Sequence, residues 1–210
     1  METLNQREDE MLLRIAQHLI MNASFMPDTG LYHGKTGIVI FFAHYARYTG
    51  NPLYQEFAGE LLNEVCEEIH TGLPVCFESG LCGIGWGIEY LLKNGFMEGD
   101  SDEILSELDA QVMTYDLRRI TDRSLRSGLE GISLYIYTRL NVLTRKSGSS
   151  PFDETYLTDW RSVASPVSIP ADKAVLDKIV HTLPGGEDIT SWKLGLENGC
   201  AGFGLKKITT

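Results

Sequence analysis

One histidine, two glutamates and two cysteines stand where chemistry could be done. His33 directly precedes Gly34 in the segment HGKTG, while Glu78 and Glu197 each lie two residues before a glycine pair, in ESGLCG and ENGCAG. Two carboxylates in matched positions can serve as general acid and base, as in α/α enzymes that hydrolyse sugars. His33 with Cys82 and Cys200 offers an imidazole and two thiols, a donor set that suits zinc. The catalytic candidates are therefore His33, Glu78 and Glu197, and the metal candidates His33, Cys82 and Cys200. Simpler accounts exist for both sets. Acids ahead of a helix favour its positive end, which covers Asp28, Glu78, Glu130 and Glu197 alike, and thiols in apolar segments are ordinary core. No cofactor is expected, zinc being the one candidate. Phosphate-loop, H-E-x-x-H and G-x-S-x-G patterns are absent. The other histidines, His18, His44, His70 and His181, sit in helical segments without matched partners and read as structural. Trp86 and Tyr135 read as core, with a stacking platform as the alternative.

What must position these residues is a repeat. Four segments share the pattern Gly, two residues, Gly, then a large apolar residue: HGKTGIVIFF, SGLCGIGWGI, SGLEGISLYI and NGCAGFGLKK. Their glycine pairs are Gly34 and Gly37, Gly80 and Gly83, Gly128 and Gly131, and Gly199 and Gly202. The first two intervals are nearly equal. The third is longer by about half a repeat, which points to an insertion or an eroded unit. Each pair opens a segment that is apolar nearly all round, as in Ile84, Trp86, Ile88, Tyr90, Leu91 and Leu92, the mark of a helix buried on most sides. Short buried strands are the rival, supported locally by aromatic and β-branched residues.

One-sided segments alternate with these. NPLYQEFAGELLNEVCEEIH has Asn51 as N-cap and Pro52 at the first helical position, with Phe57, Leu61, Leu62, Val65 and Ile69 as its apolar stripe. SDEILSELDAQVMTYDL begins at Ser101 with acids in its first turn, and the segments from Gln6 to Met21 and after Pro170 are also amphipathic. One-sided helices belong outside and all-round apolar helices inside, so the fold expected is all-α: an α/α repeat, a partial or small α/α toroid whose inner helices are opened by G-x-x-G motifs. The whole chain, 1–210, reads as a single domain. Residues 144–170, rich in Ser and Pro, read as a long loop or insertion with a short helix near Glu154 to Arg161.

Glycine in a helix costs roughly 1 kcal/mol relative to alanine, so two glycines in four places need a reason. A spacing of three puts both on one face of the first turn. A bare face admits a neighbouring backbone or a ligand. If the inner helices point the same way, all eight glycines and the free N–H groups beside them line a funnel that suits polar or anionic groups. Tight packing with no ligand is the plain alternative.

Composition narrows the partners. Hydrophobic residues make up 43% of the chain and charged residues 22%, enough to build a core, and the net charge is −11. That balance argues against a nucleic-acid partner; the only basic cluster, Arg118, Arg119, Arg123 and Arg126, reads as a solvated helix end and turn. No apolar run approaches the roughly 20 residues of a membrane span, and the acidic N-terminus does not read as a signal peptide. Four cysteines without a CxxC pair suit reduced thiols and a cytoplasmic protein.

The phrases GLYHGKTGIVIFF, SGLCGIGWGIEYLL and GLENGCAGFGL resemble the repeat signature of the lanthionine synthetase C-like family, over a stretch from about Asp28 to the C-terminus. That resemblance implies an α/α toroid, with seven inner and seven outer helices in complete members. It also implies peptide modification by thioether ring formation. Catalytic members bind zinc through a Cys two places before one glycine pair and a Cys-His directly before the next; the zinc then activates a peptide thiol. Here the histidine position is held by His33, while the cysteine positions carry Tyr32, Glu78, Arg126 and Glu197. The functions that follow are peptide modification or a degenerate relative of it, a non-catalytic scaffold for a peptide or partner protein, and, from the carboxylates, a sugar hydrolase. Four repeats would form an open arc with an apolar end exposed, so self-association into a homo-oligomer or a covering partner is expected.

Overall fold

The computed structural model describes residues 2–69, 72–141, 150–164, 170–181, 184 and 188–209. Among them the α-helices are, in order, α1 (Glu2–Asn22), α2 (Lys35–Thr49), α3 (Pro52–Glu67), α4 (Leu81–Lys93), α5 (Ser101–Val112), α6 (Leu129–Leu140), α7 (Glu154–Val163), α8 (Asp172–Ile179) and α9 (Cys200–Thr209). One-turn 3-10 helices at Ala23–Phe25, Leu117–Arg119 and Ile189–Ser191 precede three of the four glycine pairs. An isolated parallel bridge, Lys193 with Gly199, is the only extended pairing among the described residues. The fold is all-α, and the glycine pairs open helices rather than strands. No described helix is long and apolar enough to cross a membrane.

The chain divides into two compact units, Met1–Glu68 with Lys173–Thr210, and Ile69–Asp172. In the first, α2 packs against α3 and α9, and α1 against α9. Every residue of α2 from Lys35 to Phe42 is buried, whereas α3 buries only Ala58, Leu61, Leu62 and Val65. The inner and outer roles follow from that difference. The helix ends have local causes. Gly50, left-handed at φ 67°, closes α2 and donates its N–H to Ala46 O at 2.8 Å. Asn51 then caps α3, its Oδ1 accepting from Leu53 N at 3.1 Å, with Pro52 at the first position. Asn51→Ala is expected to cost about 1 kcal/mol in urea unfolding, the usual worth of such a cap.

In this unit the last of the G-x-x-G helices, α9, lies on the first, α2.

In the second unit α4 packs against α5 and α6, and α7 against the 3-10 turn at Leu117–Arg119. Within 144–170, α7 occupies the place of the expected short helix and is anchored. Tyr156 and Trp160 are buried, and Trp160 Nε1 donates to Ser133 Oγ on α6 at 3.0 Å. Residues 144–149 and 165–169, which the long-loop expectation also covered, lie outside the described residues. The N-cap of α5 is Asp100, whose carboxylate accepts from Asp102 N at 3.0 Å. The helix starts at Ser101, as the sequence suggested; Ser101 is buried, and its hydroxyl accepts from Arg139. Arg139, Glu89 and Asp109 form an ion cluster inside this core.

Candidate functional site

All four repeat openings are built by one backbone device. The N–H of the residue after the first glycine donates to the carbonyl seven residues earlier: Lys35 to Asp28 at 2.8 Å, Leu81 to Pro74 at 2.9 Å, Leu129 to Asp122 at 3.0 Å and Cys200 to Lys193 at 2.8 Å. In three repeats the next N–H does the same, Thr36 to Thr29, Cys82 to Val75 and Ala201 to Leu194. A loop thus folds back over the first turn of each inner helix and takes up amides that the helix leaves unpaired.

The glycines are required by that return path. A Cβ at Gly34, Gly80 or Gly128 would overlap the carbonyl oxygen six residues back, as would one at Gly37, Gly131 or Gly202. The bare faces are therefore filled by each repeat's own loop, and two amides of most inner helices are already bonded. Asp28 and Asp122, at matched places, start the loop with side-chain turns, accepting from Gly30 N at 2.7 Å and Ser124 N at 2.8 Å.

Within each unit the two openings are joined the same way. Phe77 N and Glu78 N both donate to Arg126 O, at 3.0 and 2.9 Å; Leu196 N and Glu197 N both donate to Tyr32 O, at 2.8 and 3.0 Å. The joint brings side chains together. Glu78 binds the Arg126 guanidinium, with Nε to Oε2 at 3.1 Å and a second contact from Nη2 to Oε1. Glu197 Oε2 lies 3.4 Å from His33 Nε2, with the imidazole 31% exposed and the carboxylate 11%. Gly195 permits this approach, since a Cβ there would come within 2.6 Å of Tyr32 O. Asn198, the one non-glycine at positive φ among the described residues (52°), completes the turn.

The remaining candidates are core. Cys82 is fully buried, and burial raises its thiol well above the ordinary value. Cys200 is buried, directs its Sγ to Ile189 O at 3.8 Å and is pushed up to about 11. Both are neutral thiols at neutral pH. Trp86 packs edge-on to Phe77 and stacks on Tyr90, and Tyr135 is wholly buried, so neither offers a platform. Burial pushes His44 down to about 4, a neutral imidazole. His18 meets Asn22, His181 meets Lys178 O, and His70 lies outside the described residues. Sequence reading missed Lys35, a lysine 3% exposed at the start of α2 and held by Glu64 and Glu68 at 3.0 and 2.8 Å. Its signal was a charged residue directly between the two glycines of a buried segment.

A sequence model of the lanthionine synthetase C-like protein family matches residues 26–191. The chain belongs to the lanthionine synthetase C-like family. No curated protein and no solved structure gives a significant match. The α/α toroid is the fold of that family, and the helical repeats described above accord with it.

The family's catalytic zinc can be tested against the residues present. His33 holds the histidine position, but the position of its cysteine neighbour is held by Tyr32, 3% exposed. The three other places two residues before a glycine pair hold Glu78, Arg126 and Glu197. A guanidinium and a buried phenol are not zinc donors at neutral pH. The thiolate-rich centre does not fit this chain.

Proposed function

We propose that this lanthionine synthetase C-like protein binds peptides, with the His33–Glu197 pair as its polar anchor and without thiolate-bound zinc. One observation carries it. A partly exposed imidazole is held against a largely buried carboxylate, and Glu197 N is bonded to the carbonyl of Tyr32, the chain neighbour of His33. The carboxylate orients the ring, which is 31% exposed. Glu78 is instead engaged through both its oxygens by Arg126. The absence of thiolate donors favours binding over ring closure, and the four free cysteines suit a cytoplasmic protein.

A second function has support in the same geometry. His33, oriented by Glu197, is a candidate proton acceptor for a peptide thiol adding to a dehydrated Ser or Thr.

The test uses the purified protein, a fluorescent library of Cys-, Ser- and Thr-containing peptides, and elemental analysis. Binding is expected to survive dialysis against a chelator and to weaken about tenfold with His33→Ala, the equivalent of ~1.4 kcal/mol. Stoichiometric zinc lost with His33→Ala would overturn the proposal in favour of metal-dependent chemistry. Loss of free thiol from a dehydroalanine peptide, abolished by His33→Ala, would establish the second function.

A further inference from the structure

The ion cluster in the second unit joins three helices through one guanidinium. Arg139 of α6 has five N–H groups, and each has an acceptor. Nε meets Asp109 Oδ2 at 3.0 Å; Nη1 meets Glu89 Oε1 at 2.6 Å and Ser101 Oγ at 3.2 Å; Nη2 meets Asp109 Oδ2 at 2.6 Å and Asp102 Oδ1 at 3.2 Å. Tyr135 donates its hydroxyl to Asp109 Oδ1 at 2.6 Å. Glu89 lies on α4, Ser101, Asp102 and Asp109 on α5, and Tyr135 and Arg139 on α6.

The charges do not balance. One cation faces three carboxylates, and the side chains of Glu89 and Asp109 are 0% and 3% exposed against 19% for Asp102. An uncompensated charge in such a core takes up or releases a proton rather than persist. The hydrogen bonds decide where the proton goes. Asp109 accepts through both oxygens, from Arg139 and Tyr135, which favours its anion. Asp102 reaches water. Glu89 is served only at Oε1; its Oε2 is buried with no partner.

We propose that Glu89 is held as a neutral carboxylic acid in the folded protein, with its proton on Oε2, and that its ionisation as pH rises loosens the contact of α4 with α5 and α6. Burial outweighs Arg139 in raising Glu89 above the ordinary carboxylate value. Asp109 is raised too, again by burial, but its contacts through both oxygens mark it as the partner that keeps its charge. The other groups facing the cluster stay neutral, since burial raises the Tyr135 phenol and the Cys82 thiol well above their usual values. The sign follows from the raised value. The stabilisation is complete below 4.5, the ordinary glutamate value, and is lost as pH rises through the higher value of the folded state. Paired surface carboxylates act in the opposite direction.

Infrared spectroscopy of the full chain tests the assignment directly. A carboxylic-acid carbonyl band is expected at pH 6, fading at higher pH and missing from Glu89→Gln. In urea unfolding, the wild-type unfolding constant is expected to rise by up to about tenfold per pH unit between 4.5 and the folded-state value and to level off above it, while that of Glu89→Gln stays level. A band that persists in Glu89→Gln but vanishes in Asp109→Asn would assign the proton to Asp109 and overturn the proposal. Should Glu89→Gln fail to fold, the wild-type spectrum decides alone: no acid band at pH 6 overturns the proposal, and one that fades with rising pH supports it.

Discussion

Replacing Arg139 by alanine is expected to remove about 3–5 kcal/mol of stability, the usual result of breaking a buried ion pair from one side. The guanidinium is 0% exposed and makes every hydrogen bond it can. Without it Asp109 keeps only Tyr135, and Glu89 loses its cation. A cavity the size of a long side chain adds to the loss. The cost lies mainly in the orphaned carboxylates, so Arg139→Met, which keeps the volume, should do little better. Combining Arg139→Met with Glu89→Gln and Asp109→Asn should recover much of the deficit, since the groups interact and their effects do not add. Urea midpoints by circular dichroism measure all of these. A loss below about 1 kcal/mol for Arg139→Ala would mean that water already serves the cluster.

The second large effect comes from a single methyl group. Gly202→Ala is expected to cost about 3 kcal/mol or more, at the upper end for an overpacked site. The added Cβ would overlap Leu196 O and lie 2.7 Å from Leu196 C, both backbone atoms in a loop held by Tyr32. No side-chain rotation can relieve that overlap, so the joint between the first and last repeat openings must shift. Gly80→Ala should do the same in the other unit, where the obstacle is Pro74 O. Gly59, exposed on α3, is the control, because a Cβ there meets nothing within 4 Å. Gly59→Ala should stabilise by about 0.5–1 kcal/mol through helix propensity alone. Thermal melts of the three variants read the contrast, and a gain for Gly202→Ala would contradict the loop geometry.

Much of the scaffold was legible because its signals are local. A glycine pair ahead of an apolar run marked α2, α4, α6 and α9, and Asn51–Pro52 marked the start of α3. The site was legible in part. Position relative to the glycines singled out His33, Glu78 and Glu197, but their partners came from far along the chain. Cys82 and Cys200 looked like ligands because cysteine is a metal residue by type; burial, which spacing does not report, makes them core. Glu89 and Arg139 left a clue of a different sort. Each is a charge inside a run that is otherwise apolar, and a charge there needs a partner. Which partner depends on helices that meet only in three dimensions.

The seam between repeat openings has a main-chain stitch common to both units: one carbonyl, of Tyr32 or Arg126, grips two successive amides. That stitch does not depend on which side chains stand at those places. That explains how one seam can present an imidazole beside a carboxylate and the other a guanidinium beside a carboxylate on the same frame. The entrance to each inner helix is in effect an interchangeable fitting, and its chemistry can be rewritten residue by residue while the scaffold beneath stays as it is.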